Sequence, residues 1–413
     1  MKILIPIFMK SVNDKSFSMN GQNPGCGGTE FVSIKLALYL SQKLPSDEII
    51  LLHNYSLIIK NSLPNLLVVV CNTISEYLCG LNNEDTVFIC PSSLFNNEID
   101  HYVSLKSIKC VLWLHHPFDF TNFNSRHSSV SCGNYQFYTN DILRSNHYHI
   151  QNIVTPLFST FKYDVNNNYQ FRMLDRNKLR IVYLGALVPG KGFHHLAKQW
   201  SNIKNSFPGV TLDVVGSTET YGGLVGDNLI PTTKKYASLL LKFIPKVDID
   251  NKRVVFHGNV GIEKIEILRN SDVAILNPTG FTEAFPSSPI ECMSIGLPVI
   301  TSNDYGMNDV MCYFPELSLK NPNKIVAKMN YLFSNQYVYN DLCLRSINVS
   351  KLFYGKNSEV CNRWLSVIND LHSNRFNRLH TMQHEVNFNM RIFIRLVVNL
   401  FKYIVRKFIR RFF

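Results

Sequence analysis

Two carboxylates with seven residues between them, Glu283 and Glu291, sit in the stretch Asn277 to Ile300. An apolar strand, Val273 to Leu276, runs into this stretch, and a second apolar run, Leu297 to Ile300, leaves it. Between them come a Pro/Ser loop, Phe285 to Pro289, and a short helix expected from about Ile290 to Ile295 and ended by Gly296. A loop that feeds a helix N-terminus after a strand is a ready anion site, because unpaired backbone N–H groups and the helix dipole both favour a phosphate there. These residue types set two carboxylates beside a place for a phosphate. On its own, the pattern also fits an ordinary strand–helix–strand unit with two solvated glutamates.

Other stretches carry compatible chemistry. Gly25-Cys26-Gly27-Gly28-Thr29-Glu30 follows a first buried strand (Met1 to Phe8) and a polar loop, and it opens a helical pattern from Phe31 to Leu44. Strand, Gly-rich loop and helix in that order form a phosphate cradle, or a tight turn capped by Thr29. His115 and His116 end the apolar run Val111 to Leu114, at the strand edge where ligands bind in doubly wound sheets. A histidine that caps the strand end is the other reading, and no third ligand nearby suggests a metal. Lys191 lies in Val188-Pro189-Gly190-Lys191-Gly192, between the strand Leu179 to Gly185 and a helix from His194 to Trp200. A solvated loop lysine is its plain alternative.

The elements that must position these residues alternate. Short apolar runs at Ile49–Leu52, Leu67–Val70, Thr86–Cys90 and Lys109–Leu114 are each followed by a polar or helical stretch. Such alternation predicts mostly parallel sheets with helices on both faces. With 413 residues, 46% of them hydrophobic, two domains are expected. Tyr135 to Asn140 reads as a strand and Asp141 to Asn146 as a helix start. Val154 to Leu157 closes the first domain, and the polar run from Asn166 to Lys178 reads as a linker. Later helices are expected at Lys234–Phe243, Ile262–Asn270, Pro322–Ser334 and Glu359–Leu371. Ten cysteines show no framework spacing and read as free thiols in a reducing compartment. The N-terminal apolar run is too short for a signal peptide, and no run is long enough to span a membrane.

Glu-x7-Glu followed by Cys-Met-Ser-Ile-Gly-Leu-Pro-Val-Ile resembles the signature of the retaining glycosyltransferases of family 4, which have the GT-B fold. In that family the pattern reads Glu-x-Phe-Gly-x-x-x-Leu-Glu-Ala-Met-Ala-x-Gly-x-Pro-Val. This chain keeps Glu283, Phe285, Glu291, Met293, Gly296, Pro298 and Val299, and departs at Pro286, Ile290 and Cys292. The resemblance implies an α/β fold of two Rossmann-like doubly wound domains facing a cleft. The expected boundaries are 1–165 for the first, acceptor-side domain and 178–350 for the nucleotide-sugar domain. A crossing helix at 351–372 would return to the first domain on Trp364, Val367 and Leu371.

The same resemblance implies roles. Glu291 would bond the ribose hydroxyls of a nucleotide sugar, and Glu283 the hydroxyls of the transferred sugar. Lys191, the Gly27-Gly28 loop and backbone N–H groups around Phe285, Ser287 and Ser288 would hold the diphosphate, where charge builds as the glycosidic bond breaks. Asn259 and Val260 would pass near the base, and His115 or His116 would contact the sugar near the reacting carbon. Ala186 stands where the family has an Arg, so a bidentate phosphate clamp is missing. Arg180, His194 or a residue of the first domain could compensate. The resemblance implies no cofactor beyond the nucleotide-sugar co-substrate and no divalent metal.

The chain carries a net charge of +12, and a surplus of eight of those charges falls within 373–413. In the segment 387–413, Arg391, Arg395, Lys402, Arg406 and Arg410 recur at helical intervals with Ile, Leu, Val and Phe between them. A basic amphipathic helix of this kind is expected to lie on an anionic membrane surface, or else to dock on protein. A spanning helix is disfavoured by Arg395 and Lys402, and nucleic acid by the aliphatic content. The reading is a cytoplasmic, membrane-peripheral transferase acting on a lipid-linked saccharide in surface polysaccharide synthesis, of O-antigen or capsule type. The alternatives are a non-catalytic sugar-nucleotide-binding scaffold, favoured only by Ala186, and a sugar-nucleotide epimerase of similar fold.

Overall fold

A computed structural model of the chain describes residues 1–8, 12–81, 85–117, 127–141, 147–157, 173–226 and 229–373. The segment 387–413 and most of the linker lie outside the described residues. The strands of the first domain are β1 (Lys2–Ile7), β2 (Lys15–Phe17), β3 (Glu48–His53), β4 (Leu57–Ile59), β5 (Leu66–Val70), β6 (Thr86–Pro91), β7 (Lys109–Leu114), β8 (Ser128–Ser131) and β9 (His147–His149). Its helices are α1 (Gly28–Lys43), α2 (Ile74–Cys79), α3 (Asn97–Leu105) and α4 (Asn134–Asp141). Seven strands form one sheet in the order β5-β3-β1-β6-β7-β8-β9, every pair parallel, while β2 and β4 pair apart. Runs such as Ile3–Ile7 and Thr86–Pro91 are buried at nearly every position because helices cover both faces.

The second domain repeats the plan. Its strands are β10 (Arg180–Leu184), β11 (Thr211–Val215), β12 (Val254–Gly258), β13 (Val273–Ile275), β14 (Val299–Ser302) and β15 (Ser318–Leu319), in the parallel order β12-β11-β10-β13-β14-β15. Its helices are α5 (Phe193–Ser206), α6 (Lys234–Leu240), α7 (Lys246–Asp250), α8 (Lys264–Arg269), α9 (Ser287–Ser294), α10 (Asn308–Met311), α11 (Ile325–Leu332) and α12 (Gln336–Tyr354). In both sheets the winding direction reverses beside the first strand, between β1 and β6 and between β10 and β13. At such a reversal the loops leaving the strand ends part to opposite faces and open a crevice.

The last helix among the described residues, α13 (Asn357–His372), belongs by packing to the first domain. Val360, Trp364, Val367 and Ile368 join the same apolar cluster as Ile3, Val87, Val111 and Trp113. The indoles of Trp113 and Trp364 meet edge to face at 4.8 Å, and both are buried. The chain thus ends its second domain by clasping its first.

Some sequence expectations are corrected. Tyr135 to Asn140, expected as a strand, lies within the helix α4. The strand partners there are the Ser-rich β8 and the three-residue β9, too short and too polar to show as apolar runs. Helix α9 starts at Ser287, three residues before the expected Ile290. Helix α12, of 19 residues, was not foreseen; it packs against α9, whose Gly296 end meets Ile347. All ten cysteines are free. Among the described residues no helix is long and apolar enough to cross a membrane.

Truncating the buried indole of α13 tests the clasp. Trp364→Ala is expected to cost about 3–5 kcal/mol, as for other buried aromatic deletions, read from the urea unfolding curve.

Candidate active site

Lys191 and Glu283 come from the two loops that flank the crevice of the second sheet. Lys191 follows β10, where the 3-10 turn Pro189–Lys191 ends at Gly192 with φ 71°, a left-handed conformation that a glycine adopts without strain. A Cβ there would also press on the Asn277 side chain. Glu283 follows β13. Its neighbour Thr282 has φ 69°, rare for a β-branched residue and costly unless its surroundings hold it. Thr282 donates its hydroxyl to the Gly190 carbonyl, which ties the two loops together.

Lys191 Nζ donates to Glu283 Oε1 at 2.8 Å, and the Asn277 amide donates to the same oxygen at 3.1 Å. Both charged side chains are largely buried. Burial disfavours the Lys191 ammonium, but Glu283 and Tyr221 outweigh it through charge and hydrogen bonds, so the lysine stays protonated. Tyr183, also buried, donates its hydroxyl to the Lys191 carbonyl.

Glu291 projects from the first turns of α9 and accepts from Lys264 Nζ at 2.7 Å. Lys264 is 6% exposed and sits in α8. Nothing local in Glu263-Lys264-Ile265 distinguishes it from a solvated helix lysine, so sequence reasoning missed it. Glu283 and Glu291 are therefore each matched to a lysine from another element.

The expected backbone cradle is narrower than foreseen. Ser287 N–H is spent on the Phe285 carbonyl, Pro289 has none, and Ile290 N–H closes on Pro286. Of the N–H groups starting α9, that of Ser288 has no acceptor among the described residues. Phe285 is core, its ring 6.3 Å from that of Phe353.

From the first domain, the loop before α1 reaches this crevice. A Cβ on Gly25 would stand 2.9 Å from the Val260 carbonyl, and one on Gly261 would stand 3.0 Å from that of Pro24. Lys35, buried in α1, anchors this loop by donating to the carbonyls of Ser18, Met19 and Gly21, and Lys15 donates to those of Pro24 and Gly25. Gly28 faces open space, whereas the Glu30 carboxylate folds back over Gly27 at the start of α1. Burial raises that carboxyl above its ordinary value. Asn259 accepts the Thr220 hydroxyl at 2.7 Å.

His115 and His116 follow β7 directly. The His115 ring leans on Trp113 at 4.7 Å, and its Nε2 is shielded from solvent with no partner among the described residues. Burial, then the neighbouring His116, pushes its pKa down to about 3, so the imidazole is neutral at physiological pH. His116 is exposed and its carbonyl accepts from Gln136.

Neither compensating cation named within the second domain serves at Ala186. Arg180 opens β10 at the edge opposite the site, about 13 Å away along a strand rising roughly 3.3 Å per residue. His194 is held by the Tyr236 hydroxyl at 3.0 Å, and burial lowers its pKa to about 4, so it is uncharged.

Breaking one partner of a buried ion pair leaves an uncompensated charge. Lys191→Ala is expected to destabilise the protein by about 3 kcal/mol, and adding Glu283→Gln to it should recover part of that loss in chemical denaturation. Additive losses would mean that the pair is not coupled.

Comparisons with known proteins bear on the fold. Residues 166–346 match the family model described as "Glycosyl transferases group 1". No curated protein matches the chain. Among solved structures, the Anabaena protein Alr3699/HepE in complex with UDP and glucose superposes with a TM-score of 0.62 at 13% identity, covering 89% of this chain and 100% of that one. A glycosyltransferase from Rickettsia africae gives 0.62 at 14% identity, covering 90% and 99%. The sucrose-phosphate synthase of Thermosynechococcus elongatus gives 0.60 at 12% identity, covering 90% and 99%. The chain has the GT-B fold, and its residues 166–346 match the glycosyl transferases group 1 model.

Proposed function

We propose that this protein is a retaining glycosyltransferase of family 4 that moves a sugar from a nucleoside-diphosphate sugar to an acceptor hydroxyl. The observation that carries the reading is the buried Lys191–Glu283 pair at the sheet reversal of the group 1 domain, at the edge where ligands bind in such sheets. The HepE structures hold UDP, UDP-glucose, or UDP with glucose, which makes uridine nucleotides the first donors to try.

In this reading the diphosphate takes the Lys191 ammonium, the Ser288 N–H, the Ser287 side chain and the Gly27-Gly28 edge. Glu291 accepts from the ribose hydroxyls, and Asn259 and Val260 border the base. Glu283, released from Lys191 as the phosphate takes over that charge, accepts from the sugar hydroxyls. The bond from the anomeric carbon to the phosphate oxygen breaks, and its electron pair leaves with the diphosphate. The acceptor oxygen bonds the same face of that carbon, and its proton passes to the leaving phosphate oxygen. Lysine and N–H donors stabilise the charge that develops there, so the step needs no metal from the residues named. A neutral His115 can donate or accept one hydrogen bond at the sugar, with His116 beside it, without adding charge.

Thermal shift against a panel of nucleotide sugars, beginning with UDP-glucose in EDTA, tests donor binding. Glu291→Ala is expected to abolish most of the shift, and Glu283→Ala to keep the shift but lose transfer at least tenfold. If both variants transfer sugar as well as the parent, the assignment is wrong.

For the acceptor we propose a lipid-linked saccharide of a surface polysaccharide, reached by 387–413 lying on the anionic inner face of the membrane. The support is the helical recurrence of Arg391, Arg395, Lys402, Arg406 and Arg410. Deleting 387–413 is expected to remove binding to vesicles containing anionic lipid and to lower transfer on membranes, while donor binding stays unchanged. A deletion that leaves vesicle binding intact overturns this role.

A further inference from the structure

The backbone that carries Glu283 is gripped from both domains. On one side Gly306 N–H donates to the Glu283 carbonyl at 2.9 Å, and a Cβ on Gly306 would collide with the Ala284 carbonyl. On the other side Gly133, in the first domain, approaches the same Ala284 carbonyl so closely that no Cβ would fit. Both glycines are fixed by this one peptide. The contact continues next to it: Asp309, in α10 of the second domain, accepts the backbone N–H of Asn134, the first residue of α4, at 3.0 Å. Tyr135 then meets Tyr305 edge to face at 5.1 Å, and Tyr305 meets Phe281 at 6.1 Å. Tyr305 and Thr282 both have positive φ, 54° and 69°, so the strained residues of this region lie on the clamp itself.

We infer that Asp309 is a positioning residue that caps helix α4 across the cleft and thereby ties domain closure to the placement of Glu283. A helix start exposes unpaired N–H groups, and a side-chain acceptor there is normally local. Here the acceptor comes from the other domain, so the cap exists only when the domains meet at Gly133 and Ala284. Opening the cleft removes the cap and frees one flank of the Glu283 peptide together. Burial raises the Asp309 carboxyl to about 7, partly offset by Asn134, and the bond from the Asn134 N–H needs only an acceptor oxygen, charged or not. That makes Asn the informative replacement.

The catalytic part of this inference rests on the transferase reading, so the test has an arm that does not. Asp309→Ala and Asp309→Asn are compared with the parent by small-angle scattering and by hydrogen exchange of the peptide spanning 278–290. Asp309→Ala is expected to enlarge the radius of gyration and speed exchange around Glu283, while Asp309→Asn, which keeps an acceptor oxygen, stays near the parent. Where a donor is turned over, Asp309→Ala should lower kcat at least tenfold with UDP affinity within about threefold, and Asp309→Asn should restore most of it. Unchanged scattering and exchange in Asp309→Ala would overturn the clamp, as would equal damage from the Asn variant. If the parent turns over no nucleotide sugar, the transferase reading fails, and scattering and exchange still decide the clamp.

Discussion

A buried ammonium needs a partner, and in this chain that constraint organises the cleft. Lys191 and Lys264 are both withdrawn from water, and each is met by a carboxylate of the Glu283–Glu291 stretch. Such pairs stabilise little, because desolvation offsets most of their attraction, and apolar residues of similar size would often do better. What they do provide is pre-set polarity. In the proposed reading, a cation and a carboxylate held side by side in this crevice exchange each other for the phosphate and hydroxyls of one ligand. The neighbouring residues serve that pair: Asn277 shares the Glu283 oxygen, and Tyr183 holds the Lys191 carbonyl.

The pairs can meet because of sheet topology. Lys191 leaves β10 and Glu283 leaves β13, adjacent parallel strands whose connections depart to opposite faces. Only there does a parallel sheet leave a crevice at its strand ends. The first domain repeats the order and brings its own loop at Pro24 and Gly25 against Val260 and Gly261. Buried Lys35 fixes that loop by taking three of its carbonyls, a device for holding irregular backbone that would otherwise carry unpaired acceptors.

The two domains touch on both sides of the lysine–glutamate pairs, at Gly25 with Val260 and at Gly133 with Ala284. The crossing helix α13 adds a third tie, and through Trp364 and Trp113 it reaches the strand whose end carries His115. Backbone strain collects in the same region. Thr282 and Tyr305 are held in left-handed conformations by contacts on either flank rather than by their own preference. This is the expected signature of loops whose geometry is set by what they must hold.

By itself the sequence determined the repeating strand–helix alternation, the residues at both ends of the Glu-x7-Glu stretch, and the Lys191 turn. Each is a local signal: an apolar run, a glycine where the chain must turn, a charge at a fixed spacing. Tertiary structure alone decided the rest. Helix α4 read as a strand because its cap, Asp309, lies 175 residues away in the chain. Nothing in the sequence marks Lys264 and Lys35 as buried, because their partners come from other elements. The donors at the start of α9 looked plentiful until Ser287 and Ile290 turned inward on Phe285 and Pro286. Arg180 and His194 looked available until one fell at the far edge of β10 and the other beneath Tyr236. Spacing along a chain reports which groups share a strand or helix face. Which charge meets which is settled only when separate elements are packed together.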